Sequence, residues 1–258
     1  MTASVFAILL AWSAACDDKD DLATAVKKFG EAKSYSFKGE LTLTVPGRNQ
    51  DAPAPAPTAF EGKFAEDTGL VVQTAQDEIV RIDGKTAVRP KAVWRVVDDG
   101  ARGGGNRPAG GGPGALAAFA GRGGAGLFAR APKEELAGLD GKLEKVAKAD
   151  KKESVGESEC AVLEVTFNAE GAKSLAGGAA ARAGGGNNAG AAAEFSASGR
   201  FWVTADGRLA KYEITSKVSR TFNNREFTTS SSRTVTLFDV DKTKVELPSG
   251  AKEALNPK

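Results

Sequence analysis

The stretch Ser34–Val45, SYSFKGELTLTV, decides the fold because its side chains alternate between two environments. The even positions carry only Ser, Lys, Glu and Thr. The odd positions are Tyr35, Phe37, Gly39, Leu41, Leu43 and Val45. Successive side chains of a strand point to opposite faces, so this alternation predicts a strand with one buried and one solvated face, as in an antiparallel sheet.

Similar strand-forming runs, separated by short turns, continue along the chain. In the first half they are 60–64, 69–74, 78–82, 85–88 and 92–97. In the second half they are 160–167, 195–203, 210–218, 227–229, 232–240 and a closing edge segment, 245–247. Asp83-Gly84 and Asp206-Gly207 are strong two-residue hairpin signals, and Asn223-Asn224 is a further turn candidate. The pattern predicts a mainly β (α+β) fold of about nine to eleven strands.

Three segments instead repeat their apolar residues at helical spacing. The first is 22–29, and the third is 169–175, which Asn168 can cap. The second opens at Pro132, a favourable first helical position. Its apolar stripe is Leu136, Leu139, Leu143 and Val146. We therefore expect two or three short helices that cover the sheet.

Two glycine- and alanine-rich insertions, 100–131 and 176–193, interrupt this pattern. They hold few side chains that could compensate the entropy lost on ordering, so neither is expected to form a packed core. Arg102-Gly103-Gly104 and Arg122-Gly123-Gly124 are similar to RGG segments that bind nucleic acids. The net charge of the whole chain is only +2, and the two insertions contain few aromatic residues. Both observations favour a solvated loop and no nucleic-acid partner.

The composition excludes several kinds of catalytic and metal site. The 258 residues include no histidine and two cysteines, Cys16 and Cys160. Ser-His-Asp and Cys-His nucleophiles, histidine-ligated metals and four-cysteine zinc sites are therefore excluded. No P-loop Lys-Ser/Thr follows the glycine-rich blocks, and the adjacent Asp98-Asp99 would point apart. We expect a protein that is not an enzyme and that has no cofactor or metal.

The amino-terminal segment Ala3–Ala15, ASVFAILLAWSAA, resembles the apolar part of an export signal. A helix of its 13 residues would span about 20 Å, which is too short for a bilayer core of about 30 Å. Ser13-Ala14-Ala15-Cys16 resembles a bacterial lipobox, and the polar run 17–21 follows it. We therefore expect residues 1–15 to be a signal peptide and Cys16 to carry the lipid. Secretion without a lipid and a buried amino-terminal helix are the alternatives.

The second cysteine has two interpretations that depend on the first. If Cys16 is acylated, Cys160 is left alone and is expected to be a small apolar core residue in a strand. If the protein is secreted without a lipid into an oxidising compartment, a Cys16–Cys160 disulfide is the alternative.

The order of these elements is similar to that of the LolA/LppX-like bacterial envelope lipoproteins. The resemblance covers residues 20–255 outside the two insertions and includes the ending Val245-Glu246-Leu247-Pro248-Ser249-Gly250-Ala251. It implies a single domain over 16–258 in which a curved antiparallel sheet forms an incomplete β-barrel under helices, with a hollow that binds acyl chains. The candidate cavity residues are Tyr35, Phe37, Leu41, Leu43, Trp94, Phe201, Val203 and Tyr212. Trp94 and Trp202 are candidates for its rim, although simple packing would use the same residues.

Two hypotheses of function follow. In the first, a monomeric lipoprotein, anchored in the bacterial cell envelope and facing the periplasm or exterior, binds or carries a lipid or a lipidated protein. In the second, the same fold acts as a scaffolding or sensing lipoprotein that docks a protein partner without binding lipid. Burying an acyl chain contributes about 0.8 kcal/mol per methylene, so the first hypothesis needs no polar constellation.

Overall fold

A computed structural model describes residues 10–44, 56–90, 93–97, 128–183, 193–222 and 225–256. These residues divide into two compact units. The larger unit comprises the described parts of Met1–Ala32, Gly39–Pro57 and Pro132–Phe238. The smaller unit comprises those of Lys33–Lys38, Thr58–Ala131 and Asp239–Lys258.

Twelve antiparallel strands form the sheet within the described part of the chain. They are β1 (Ser34–Thr44), β2 (Thr58–Ala65), β3 (Gly69–Thr74), β4 (Asp77–Ile82), β5 (Lys85–Pro90), β6 (Arg95–Val97), β7 (Leu143–Lys148), β8 (Glu153–Val155), β9 (Ser158–Phe167), β10 (Ala193–Thr204), β11 (Leu209–Phe222) and β12 (Arg225–Phe238). The strand order is β6-β5-β4-β3-β2-β1-β12-β11-β10-β9-β7, with β8 paired to β9. Because β6 and β7 end this order without pairing with each other, the sheet is unclosed. The predicted mainly β fold with an incomplete barrel is confirmed. The described strands number twelve where nine to eleven were expected, because β7 and β8 lie outside the predicted strand runs.

Four α-helices accompany these strands among the described residues. They are α1 (Leu10–Gly30), α2 (Pro132–Leu136), α3 (Ala169–Ala183) and α4 (Ala251–Leu255). In the larger unit, α1 packs on β7, β10 and β11, and α3 packs on β9 to β12. In the smaller unit, α4 packs on β5 and β6. The predicted cap of α3 is confirmed, since the Gly171 N–H donates to Asn168 Oδ1 at 2.9 Å.

Several element boundaries differ from the predictions. The helix expected after Pro132 ends at Leu136, because Gly138 has a φ of +70° that a helix cannot accommodate. Its expected stripe residues Leu143 and Val146 instead lie in strand β7. The third helix continues past residue 175 to Ala183, since alanine has the highest helix propensity. The helix predicted for 22–29 is longer and begins at Leu10.

One predicted strand near the carboxyl terminus is wrong, and two other predicted features lie largely outside the described residues. Residues 245–247 do not form the expected edge strand. Val245 and Leu247 instead pack against the core of the smaller unit with Ala251 and Leu255 of α4. The expected turn at Asn223-Asn224 lies outside the described residues, as does most of the insertion 100–131.

Candidate functional site

One face of the sheet in the larger unit, which we call the core face, carries the aromatic residues of the predicted cavity. Phe201 of β10 pairs with Tyr212 of β11, and the two rings stack with centroids 6.2 Å apart. Leu163 of β9 and Val235 of β12 extend the same row across the sheet. All four side chains are buried. A continuous apolar row therefore crosses four strands.

The eight candidate cavity residues are divided between the two units. The larger unit contains Leu41, Leu43, Phe201, Val203 and Tyr212, of which all but Leu43 are buried. The smaller unit contains Tyr35, Phe37 and Trp94. Tyr35 and Phe37 are fully buried, whereas Trp94 is half-buried.

The aromatic core of the smaller unit is closely packed. Phe37 lies edge-on to Phe60, and Tyr35 stacks on Phe64. A Cβ added to Gly62 would lie 2.4 Å from Phe37 Cζ, so the ring occupies the space that a side chain would need. Trp94 lies apart from this cluster, where its indole N–H donates to the Ser249 carbonyl at 2.9 Å.

The apolar side chains of the core face become more exposed along the long hairpin of β11 and β12 in the larger unit. Three rows beyond Phe201 and Tyr212 on the same face, Phe195 of β10 pairs with Val218 of β11. Val218 is buried with Ala176 of α3, while Phe195 is half-buried. Phe227 of β12 follows on the same face and is 43% exposed. The apolar residues of this face are therefore buried at one end of the hairpin and partly exposed at the other, with more polar rows between them.

A charged group lies on the same face, where sequence reasoning missed it. Arg233 of β12 pairs with Ile214 of β11, so it shares the core face with the neighbouring row of Tyr212 and Val235. Its Nη1 lies 3.3 Å from Oε2 of Glu135, which belongs to α2. The same carboxylate oxygen accepts a hydrogen bond of 2.6 Å from the Tyr212 hydroxyl. The side chains of Arg233 and Glu135 are only 9% and 12% exposed.

Hydroxyl groups continue this polar region along the two strands. The Ser216 and Ser231 hydroxyls form a hydrogen bond of 2.8 Å across β11 and β12. Their row lies between that of Arg233 and that of Val218. The two-residue period of the strand could have identified Arg233. It stands at the same alternate positions as Val235 and Leu237 and therefore had to share their buried face.

On the opposite, outer face of this unit, the aromatic residue Trp202 is buried between polar side chains. Trp202 is 2% exposed and packs with Cys160 and Val162. Its indole N–H donates to Glu153 at 2.9 Å, and Arg200 donates to the same carboxylate at 2.7 Å. These two hydrogen bonds, the one from Trp202 first, hold the pKa of Glu153 below its usual value. Trp202 is thus packed, with its N–H bonded to protein.

Cys160 has the place predicted for it in a strand. Its side chain is fully buried in β9 and takes part in no disulfide. Burial raises the pKa of the thiol, because the low-dielectric surroundings disfavour the thiolate. Cys160 therefore acts as a small apolar core residue.

A cleft of about 360 Å³ lies on the outer face of the same strands. Its lining is Lys145, Ala147, Glu164, Val165, Thr166, Ser198, Gly199, Arg200, Glu213 and Thr215. Positively charged, negatively charged and hydroxyl-bearing side chains lie beside one another in this lining. The lining is that of a solvated sheet surface and does not suit an apolar guest.

In the described ranges, no three His, Cys, Asp or Glu side chains are grouped so that they could hold a metal ion. In the same ranges, no helix combines the length and the apolar character needed to cross a bilayer.

Comparisons with known proteins found similarity among solved structures. No family model and no curated protein matches the chain. The lipoprotein LppX of Mycobacterium tuberculosis is similar with a TM-score of 0.48 and 10% identity, over 89% of this chain and 98% of that one. LprF of Mycobacterium bovis is similar with a TM-score of 0.45 and 9% identity, over 92% of this chain and 98% of that one.

Proposed function

We propose that this protein is an envelope lipoprotein that binds or carries a hydrophobic ligand on the core face of its larger unit. The observation that carries the proposal is that the apolar residues of this face are buried at Phe201 and Tyr212 but partly exposed at Phe195 and Phe227. The rows of Arg233 and of Ser216 lie between these two apolar parts. A face that ends in exposed aromatic residues offers apolar surface to something besides the protein's own side chains.

The energetics of this face favour an acyl chain as the ligand. Each buried methylene contributes about 0.8 kcal/mol, so a dozen methylenes approach ~10 kcal/mol before the entropic costs of binding. Such affinity requires apolar area and no catalytic group. Within the proposal, Leu41, Leu43 and Val203 add apolar surface to the same unit, and the buried Tyr35 and Phe37 support the other unit as packing residues. Trp94 is no longer proposed as a ligand contact.

The proposal includes a lipid anchor at Cys16, supported by the small residues that precede it and the acidic run that follows. Two residues later, the Asp18 carboxylate accepts a hydrogen bond of 3.0 Å from the Lys148 backbone N–H. Leu22 and Phe29 are buried in the same helix. An anchor at Cys16 would therefore hold the larger unit close to the membrane, in the bacterial envelope.

The anchor is tested separately from the ligand. We expect mass spectrometry of the mature protein to find a chain that begins at Cys16 and carries acyl groups. A Cys16→Ser variant should move from the membrane fraction to the soluble fraction. An unmodified Cys16 in the mature protein would contradict the anchor and leave ligand binding untouched.

Ligand binding is tested with Nile red, a neutral dye that fluoresces in apolar surroundings. Phe195→Glu places a charge on the core face, and desolvating that charge should weaken binding at least tenfold. The matched control is Ser196→Glu, which places the same charge on the exposed outer side of the adjacent position. Its affinity should stay within twofold of the wild type. Equal effects of the two variants, or no binding by the wild type, would overturn the proposal.

A further inference from the structure

The core face of the larger unit holds a positive charge that the burial of apolar ligands does not require. Arg233 alternates with Val235 and Leu237, both buried, and its own side chain is 9% exposed. Taking a guanidinium out of water is unfavourable unless an anion compensates it. A buried arginine at this point therefore implies that an anion belongs beside it.

That anion comes from outside the sheet. Glu135 lies on α2, a helix of five residues, and its Oε2 contacts both Arg233 Nη1 at 3.3 Å and the Tyr212 hydroxyl at 2.6 Å. Arg233 and Tyr212 are fixed on neighbouring strands by the sheet register. The two hydrogen-bond donors, Arg233 and Tyr212, thus belong to paired strands of the sheet. Their acceptor, the Glu135 carboxylate, belongs to a short helix outside the sheet.

We propose that Arg233 and Tyr212 form a subsite for the anionic headgroup of an amphiphile, and that the Glu135 carboxylate occupies this subsite when no ligand is bound. The inference rests on the proposed function and names the chemical class of its ligand: an acyl chain that ends in a compact anion, a carboxylate or a phosphate. Arginine suits both anions because its planar guanidinium donates two parallel hydrogen bonds.

The surroundings of the subsite fit this ligand. The hydroxyls of Ser216 and Ser231 lie in the next row and supply further donors to an anion. From Arg233 to Phe227 the strand runs six residues, about 20 Å at ~3.4 Å per residue, which matches the length of a long acyl chain. Over this distance β12 presents Ser231 and Thr229, and the apolar contacts come from Val218 of β11 and Phe195 of β10. Phe195, Val218 and Phe227 then lie on one side of the headgroup, towards the exposed end of the hairpin.

The test compares an acid, a phosphate and an alcohol that share one monounsaturated hydrocarbon chain and differ in the headgroup. Oleate, oleoyl lysophosphatidate and oleyl alcohol are each titrated against Nile red bound to the full-length protein, and the displacement of the dye gives their affinities. In Glu135→Gln the competing carboxylate is gone, so at least one of the two anions should bind at least tenfold more tightly than to the wild type. The anion that gains most identifies the headgroup. Oleyl alcohol should change less than twofold.

Glu134→Gln, the same change one position earlier on α2, is the control and should alter no affinity by more than twofold. Acid, phosphate and alcohol that shift together in Glu135→Gln, or none that shifts, would overturn the inference while Nile red binding upholds the proposed function. If the wild type binds neither the dye nor any of the three ligands, the proposed function fails and the inference fails with it.

A second variant keeps the test decisive if Glu135→Gln does not fold. The double change Glu135→Gln with Arg233→Met removes both charges together, which a buried pair tolerates better than the loss of one partner. Both anions should bind this variant at least tenfold more weakly than the wild type, and oleyl alcohol should bind within twofold. Unchanged binding of the anions would show that Arg233 does not receive the headgroup.

Discussion

The two compact units contain similar aromatic residues but use them differently. In the smaller unit, Phe37 lies against Gly62 so closely that a single added methyl group would overlap its ring. In the larger unit, the row of Phe201 and Tyr212 is equally buried, yet the same face continues to Phe227, which is 43% exposed. A filled core cannot admit a guest, whereas a partly exposed apolar face can. This difference is the reason why we propose that a ligand binds to the larger unit and not to the smaller one.

The largest effect that could break this comparison is on stability. Phe37→Ala should lower the free energy of unfolding by about 3–5 kcal/mol, because it removes a fully buried ring from a core that has little freedom to collapse. Phe227→Ala, at a partly exposed position, should change it by less than about 1 kcal/mol. Denaturant unfolding monitored by circular dichroism measures both. Similar losses for the two variants would show that the units do not differ in packing.

A second effect concerns overpacking in the smaller unit. Gly62→Ala should destabilise the protein by about 1–3 kcal/mol, since its Cβ would lie 2.4 Å from Phe37 Cζ and 2.8 Å from the Val71 carbonyl oxygen. Gly141→Ala is the control in the larger unit, because nothing lies within 4 Å of its added Cβ. That change should be neutral or stabilise by up to about 1 kcal/mol. A neutral Gly62→Ala would mean that this core is looser than described.

The third effect sharpens the role of the exposed end of the core face. Phe227→Ala should leave stability nearly unchanged and weaken Nile red binding about threefold to tenfold, because it removes apolar contact area of about one side chain. Phe238→Ala is the control, since Phe238 is also exposed, at 41%, but lies on the outer side of the same strand. Equal losses of binding in both variants would remove Phe227 from the site.

The smallest effect is a pH dependence at one hairpin turn. The Thr204 hydroxyl and the Arg208 guanidinium hydrogen-bond to Asp206 and lower its pKa from 3.8 to about 2. Because the folded pKa is the lower one, the stabilisation is present above pH 3.8 and is lost as the pH falls towards 2. Asp206→Asn should therefore have a slightly lower Tm than the wild type at pH 6, and this difference should become much smaller by pH 2, where about half of Asp206 is protonated in the folded state. A difference that does not change with pH would contradict this assignment.

The sequence predicted those parts of the fold that depend on local pattern. The alternation in Ser34–Val45 and the glycines of the Asp83-Gly84 and Asp206-Gly207 turns correspond to β1 and to two tight connections. Boundaries that depend on competing signals were predicted wrongly. The apolar stripe after Pro132 has helical spacing, yet the positive φ of Gly138 ends the helix and the following residues join the sheet.

The candidate site was predictable only in part, for a physical reason. A ligand-binding face and a filled core use the same apolar residues, so periodicity cannot separate Phe37 from Phe201. Burial and close approach in three dimensions separate them. The contact between Glu135 and Arg233 joins positions that are 98 residues apart in number, 233 minus 135, and no local pattern brings them together. Trp202 was similarly hidden, because Glu153 and Cys160 cover it from β8 and β9.

The most direct test of the central claim is organic extraction of the full-length protein purified from its host, followed by mass spectrometry. We predict about one amphiphile with a long acyl chain per protein molecule, retained by Ser196→Glu and depleted in Phe195→Glu. Extracts of the wild type that contain no such molecule, from protein that also leaves Nile red unbound, would contradict the account.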